Sequence, residues 1–258
     1  MHPYSDCNYK LRSLLVSPKG SGFVKSSAAL APLPDWRFER VAPAGVFACG
    51  AASGGDVLCA ACSVDPPGRD ELRCPVCAIA QPRGEVCGAC LSHRPPFDAT
   101  LTALDYAFPL DKLVQALKYG HRLAASRLFV ELMAGLPTPQ ADLVVPMPLH
   151  PMRLRSRGFN QAAELARPLA KLWGLPVLLD GVVRDVDTSP QVDLPWKARA
   201  ANVRGAFRVA RKVEGLRIVV VDDVMTTGAT LAELARTLKD VGAACVENRV
   251  VARTPARS

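Results

Sequence analysis

Residues 219–230 read VVVDDVMTTGAT, an apolar run that passes directly into two adjacent carboxylates and then into a turn of threonines and glycine. The run is β-branched and unbroken by polar residues, which suits a strand buried on both faces. After the turn, Leu231, Leu234, Leu238 and Val241 fall at helical spacing and Gly242 marks a stop. A strand, a tight loop and a helix N-terminus in that order form a seat for an anion. Gly228 permits close backbone approach, the first helical N–H groups and the dipole favour negative charge, and Thr226, Thr227 and Thr230 add hydroxyl donors. Met225 and Ala229 complete the loop. Asp222 and Asp223 would repel a phosphate, so they must address something a few ångströms away that offers donors or a cation. A ribose cis-diol has two hydroxyls for two acceptors. The ligand so implied is a ribose 5-phosphate. The competing reading is an ordinary strand, turn and helix cap. The lysine of a P-loop is absent, and so is GxGxxG.

Working outward, Leu113, Val114 and Leu117 mark a helical face, and 123–133 is a second apolar helical run. Residues 143–145 read as a short buried strand, followed by a loop and a helix over 161–173; 177–179 and 217–221 read as further strands, and Cys245 lies in a late apolar strand. Strands separated by helices predict an α/β fold, a parallel sheet flanked by helices on both faces, with ligands at the carboxyl ends of the strands. Lys118, Tyr119 and His121 read as a helix end, with contact to phosphate or nucleic acid as the alternative.

The chain has 258 residues, 49% of them hydrophobic, and a mean hydropathy of +0.12, enough to bury one sizeable core plus a smaller module. No apolar run reaches the ~18 residues of a membrane span, and no apolar leader is evident, so the expected location is cytoplasmic. Net charge is +8, of which residues 98–258 carry +6, an excess that suits a polyanionic ligand without choosing among phosphates, pyrophosphate and nucleic acid. Aromatics are only 6%, so no stacking platform for single strands stands out.

Seven of the nine cysteines lie between Cys49 and Cys90. Cys74-x2-Cys77, nine residues, then Cys87-x2-Cys90 repeats Val46-x2-Cys49, nine residues, then Cys59-x2-Cys62, with an offset of 28. Paired C-x2-C knuckles can place four thiolates around Zn²⁺, and such a site contributes ~10–16 kcal/mol of apparent folding energy. Cys74, Cys77, Cys87 and Cys90 are therefore read as a structural zinc site. With Val46 in place of a cysteine, Cys49, Cys59 and Cys62 either borrow a ligand (Cys7 and His93 are candidates), hold metal weakly, or are held by packing. A redox role fits less well, for lack of a βαβ context. The chain thus divides into a poorly ordered basic tail, 1–43, a zinc ribbon module, 44–96, closed by Arg94-Pro95-Pro96, and an α/β domain, 97–258.

Four apolar residues, two acids and TTGxT resemble the PRPP loop of type I phosphoribosyltransferases, and the span from Cys49 to Arg253 resembles the ComF family of competence-associated proteins. Pro146-Met147-Pro148-Leu149 followed by Arg157-Gly158-Phe159-Asn160-Gln161 is similar to that family's PxPL…RGFNQ segment. Arg184, Thr188, Gln191, Leu194, Arg199, Asn202, Val203, Ala206 and Phe207 fall on its R…T..Q..L....R..NV..AF pattern, and Leu117-Lys118-Tyr119 and the C-x2-C module also fit. Val46 is the departure. The resemblance implies a type I phosphoribosyltransferase-like fold in which the loop after the first core strand, 145–150, holds pyrophosphate, and the segment 184–207 closes over the site. It implies PRPP bound with Mg²⁺ and, in catalysis at the ribose C1, roles for Asp222, Asp223 and Arg157, with Arg153 and Arg155 helping to neutralise the leaving pyrophosphate. His150 adjoins the pyrophosphate loop. The usual base-selecting hood has no counterpart here unless the cysteine module supplies it.

Three functions follow as expectations. The first is a ComF-type protein that binds PRPP and assists uptake or processing of single-stranded DNA with DNA-uptake proteins. The second is a nucleobase phosphoribosyltransferase of salvage. The third is a zinc-ribbon adaptor for nucleic acid or protein whose nucleotide site does no chemistry.

Overall fold

A computed structural model describes residues 67–68, 71–119, 124–186 and 203–256. The tail, the first cysteine unit with Val46, Cys49, Cys59 and Cys62, and Cys7, His121, Thr188, Gln191, Leu194, Arg199 and Asn202 lie outside the described residues.

The sheet has four parallel strands in the order β1 (Ala99–Asp105), β6 (Cys245–Arg253), β5 (Arg217–Met225), β2 (Leu143–Pro146). β5 and β6 form the centre. Their registers pair Val220 with Asn248 and Asp222 with Val250, while Pro146 at the end of β2 pairs with Val221. Helices α2 (Leu110–Tyr119), α3 (Ala124–Ala134) and α5 (Gln161–Trp173) cover one face, where Leu113, Leu117, Phe129, Leu165 and Leu169 meet Val219 and Val221. On the other face α6 (Ala229–Asp240) packs Leu231, Leu234 and Leu238 against Ile218 and Val220. A two-stranded antiparallel hairpin, β3 (Val182–Arg184) with β4 (Phe207–Val209), joins that second face. The parallel sheet with flanking helices is thus the expected architecture. No helix among the described residues is long and apolar enough to cross a membrane.

The cysteine knuckle is not suspended on a linker. Cys74, Val76, Cys77, Cys87 and Cys90 share the core of the α6 face, and α1 (Gly88–Ser92) carries Cys90 into it. Thr100 N–H donates to the Pro75 carbonyl at 3.1 Å, and Arg73 Nη1 meets Asp105 Oδ1 at 2.8 Å, so β1 is stitched to the knuckle along its length.

Several local readings change. The strand expected at 217–221 continues to Met225, because β6 runs alongside for nine residues and supplies backbone partners throughout; Asp222 and Asp223 are inside the strand, not beyond it. Residues 153–157, expected as loop, form helix α4 (Pro151–Arg157). His150 Nδ1 accepts from Met152 N–H at its start, Pro151 occupies the first position, and Gly158 closes it with φ 80°. Residues 177–179 make no strand: Val177 contributes one bridge to Val144 before the chain turns away. β1 is a strand that the sequence pattern does not disclose, since its inward positions include Thr100 and Thr102, whose hydroxyls are satisfied internally.

Asp98 shows how the sheet end is closed. Its Oδ2 accepts from Val246 N–H and its Oδ1 from Lys239 Nζ, both at 2.8 Å, which fastens β1, β6 and α6 together. Asp98→Ala strands the buried Val246 N–H, and chemical denaturation should show a loss of ~1–3 kcal/mol.

Candidate functional site

Asp222 and Asp223 lie on the carboxyl-terminal half of β5 and are 9% and 3% exposed. Each bonds locally: Asp222 Oδ1 accepts from Asp223 N–H at 2.9 Å, and Asp223 Oδ1 accepts from Val224 N–H at 2.8 Å. The second oxygen of Asp223 meets Lys118 Nζ at 2.7 Å, an ammonium delivered by the last turn of α2. No ion pair to Asp222 exists among the described residues. Burial, reinforced by the neighbouring Asp223 charge, pushes the Asp222 carboxyl well above its usual range. For Lys118, burial acts to lower the ammonium, but Asp223 and Asp222 outweigh it and hold it above its ordinary value. The sequence pattern favours a helix end for Lys118 over a phosphate or nucleic-acid contact; the structure brings it onto the acid pair.

Past the acids, β5 gives way to the threonine loop. Thr226 and Thr227 are exposed, Gly228 sits at φ 82°, and α6 starts with no side-chain cap at Gly228, so its N-terminus faces the loop. That left-handed φ favours glycine, and a Cβ there would also push aside the flexible Met225 Cε, 2.5 Å away. Thr227 Oγ1 accepts from Ala229 N–H at 3.3 Å. The base of the loop is clamped by buried Arg253, whose Nη1 donates to the carbonyls of Met225 (3.1 Å), Thr226 and Thr254 (2.8 Å), and whose Nε donates to Cys77 O at 2.8 Å. One guanidinium thereby links the phosphate-type loop to the cysteine knuckle.

The segment after β2 is the acid pair's other neighbour. Met147 N–H donates to Val221 O at 2.8 Å, which sets Pro146, Met147 and Pro148 beside Asp222. Asn160, expected at the pyrophosphate end, is engaged in holding the fold. Its Oδ1 caps α5 through Ala162 N–H and Ala163 N–H, and its Nδ2 donates to Met147 O at 3.1 Å. Arg157 donates to Gln161 Oε1 at 2.6 Å, while Arg153 and Arg155 project from α4 with Arg155 exposed. Between this helix and residues 178–182 lies a cavity of ≈310 Å³ whose walls include Pro146, Pro148, Asn160, Arg167 and Asp180. It flanks the post-β2 loop, and neither aspartate lines it. Arg184 is buried at the end of β3, stacked 5.6 Å from the Phe207 ring centroid. It anchors the two chain ends from which the segment 187–202 departs.

The sulfur atoms of Cys74, Cys77, Cys87 and Cys90 all lie within 4.8 Å of one another, and Cys77 and Cys87 are 3.6 Å apart. Tetrahedral thiolates at ~2.3 Å from a metal have edges of ~3.8 Å, so the quartet could hold a metal ion. Their acidities diverge as crowded thiols should: a hydrogen bond with Cys77 drops Cys74 to about 4, the same bond raises Cys77, and burial pushes Cys90 up to about 12. A bound cation is the natural way to ionise all four. His93 caps α1 at the surface and is no part of the quartet.

Compared with known proteins, residues 154–258 match the phosphoribosyl transferase domain family. The chain is 38% identical over 208 residues to a DNA utilization protein, YhgH, of Salmonella typhi, covering 76% of this chain and 90% of that one. It is 33% identical over 167 residues to Competence protein F of Haemophilus influenzae, covering 60% and 73%. Among solved structures, a glutamine PRPP amidotransferase from B. subtilis aligns at 23% identity with a TM-score of 0.35, over 48% of this chain and 25% of that one.

The weakened acidity of Asp222 carries a stability consequence. A carboxyl whose folded value exceeds its unfolded one costs stability as pH rises from the unfolded value to the folded one, and costs nothing below both. Asp222→Asn should therefore raise Tm at neutral pH by ~2–4 °C or more, with the gain vanishing below about pH 4. Scanning calorimetry across pH reads the difference directly.

Proposed function

From the premise that this chain belongs to the ComF family, we propose that it binds PRPP at the carboxyl end of β5 and assists the handling of incoming single-stranded DNA in natural transformation. The observation that carries the ligand is the placement of Asp222 and Asp223 one loop away from the N-terminus of α6, with the left-handed Gly228 making the turn between them. The 5-phosphate sits on the backbone and hydroxyls of residues 225–230, and the two carboxylates accept from the 2′ and 3′ hydroxyls. Residues 146–149, next to Asp222, face the pyrophosphate, with Arg153, Arg155 and Arg157 supplying positive charge from α4. In the same reading Arg184, Arg199 and Asn202 contribute to holding the pyrophosphate; Arg184 is buried beside Phe207, and Arg199 and Asn202 lie outside the described residues.

Mg²⁺ accompanying PRPP supplies further neutralisation of the pyrophosphate when bound. Should the protein transfer phosphoribosyl groups, its own residues act by excluding water, holding the ribose and stabilising the departing charge, with Asp222, Asp223 and Arg157 nearest the chemistry. In the same reading the Cys74, Cys77, Cys87 and Cys90 quartet holds structural zinc within a ribbon module, 44–96, ahead of the phosphoribosyltransferase-like domain, 97–258, and the protein works in the cytoplasm.

Calorimetric titration with PRPP and Mg²⁺ should give micromolar binding that the Asp222→Asn, Asp223→Asn double variant abolishes while staying folded. Unchanged affinity in that variant removes the ribose assignment. A panel of purine and pyrimidine bases separates salvage from DNA handling, because pyrophosphate release with one base would favour the former. Binding of a single-stranded oligonucleotide should weaken steeply with salt, and no binding at low salt would remove the DNA part.

Metal analysis should find zinc bound by the quartet. Cys87→Ser should lose it and lower Tm by ~10 °C or more, since the knuckle is part of the α6-side core.

A further inference from the structure

Two carboxylates on consecutive residues of a buried strand repel each other and lack water to disperse the charge, so whatever cation accompanies them decides their protonation. In the described structure that cation is Lys118. Its Nζ is 2.7 Å from Asp223 Oδ2, with side chains only 23% and 4% exposed. The groups that act on it are Asp223 and Asp222 of β5 and Tyr106, which follows β1. The lysine is not a loosely tethered surface residue. α2 is fixed by Leu113, Val114 and Leu117, each at most 1% exposed, and the ammonium sits on its last turn, where the helix dipole also favours positive charge. Asp223 is held at both oxygens, by Lys118 and by Val224 N–H.

We propose that Lys118 is the positioning residue of the sugar site: its ammonium, paired with Asp223 Oδ2, aims that carboxylate and offsets the charge of the acid pair, and it affects ligand binding only through the pair. The inference rests on the ribose-phosphate reading of the acid pair. It gives the helix carrying Leu117-Lys118 a role distinct from that of the threonine loop. The loop selects a phosphate, and Lys118 offsets the charge of the acid pair that recognises the sugar hydroxyls. Without the lysine, the pair takes up a proton and loses an acceptor.

The test uses the full chain, PRPP with Mg²⁺ as probe, and calorimetric titration from about pH 5 to about pH 9, for the wild type, Lys118→Met and Lys118→Arg. Lys118→Met should bind at least ~10-fold more weakly at neutral pH, and the acid-side midpoint of binding should move up by ~1 pH unit, because the carboxylates now protonate more readily. Lys118→Arg keeps the charge and should leave the midpoint near that of the wild type. A folded Lys118→Met with wild-type affinity and midpoint overturns the proposal. So does a fall in affinity with an unmoved midpoint, which would make Lys118 a direct contact to the ligand's phosphates. Should Lys118→Met not fold, Lys118→Gln carries the same comparison.

A ligand-free arm keeps the two readings apart. In Lys118→Met the folded state should bind about one more proton at neutral pH, so stability should fall more steeply with rising pH than in the wild type. If the wild type does not bind PRPP, the ribose reading falls, and this slope alone decides whether Lys118 sets the charge of the pair. Equal slopes overturn it.

Discussion

Burying two adjacent carboxylates at the centre of a parallel sheet is the constraint around which this structure is arranged. A strand sends consecutive side chains toward opposite faces, so Lys118 pairs with Asp223 and not with Asp222. The chain handles them separately. Asp223 points toward the face covered by α2 and takes the lysine there, while Asp222 is satisfied by a backbone N–H and remains hard to ionise. Such an arrangement weakens the fold where it stands, and that is the usual mark of a site kept for binding rather than for stability.

The strand order makes the arrangement possible. Because β5 lies between β6 and β2, its carboxyl end is flanked by the post-β2 loop on one side and by the end of β6 on the other. The first brings Met147 onto Val221, and the second brings Arg253 under the threonine loop. Arg253 is the more unusual piece. Four carbonyls converge on one buried guanidinium, and one of them, that of Cys77, belongs to the cysteine knuckle. A planar fork of five N–H donors is suited to such a junction, whereas a lysine could not satisfy it at the same directions. The knuckle is therefore continuous with the floor of the loop.

What is legible in the sequence is what is local in sequence. The apolar strand, acids, threonine turn and helix are contiguous, so their order alone predicts an anion-binding N-terminus beside two acceptors. Helix 161–173 shows its period and ends in Gly174, and the second C-x2-C unit shows its ligand spacing, because those signals need only neighbours a few residues apart. The parallel sheet follows from strand and helix alternation. β1 stays hidden because Thr100 and Thr102 break the apolar pattern, and what makes them acceptable inside is a partner on β6 far along the chain: Asn248 donates to Thr100 Oγ1, and Thr102 reaches Val251 O. α4 stays hidden because proline, arginines and serine look like a loop until the His150 cap and the Gly158 stop are seen together.

Lys118 is the clearest case of the same limit. A lysine near a helix end is ordinarily a solvated residue favoured by the dipole, and although Leu117-Lys118-Tyr119 fits the family pattern, no residue nearby in the chain names its partner. Its partner is on the central strand, and only the crossover of the chain from β1 through α2 and α3 to the far edge of the sheet brings α2 across the ends of β5 and β6. Charge compensation of a buried acid is a tertiary property: the acid announces the need, but any of 32 lysines and arginines could meet it. The fold makes the choice, and by taking the lysine from an element with no part in the phosphate loop it gives the sugar-facing half of the site a support that can be altered independently of the phosphate-facing half.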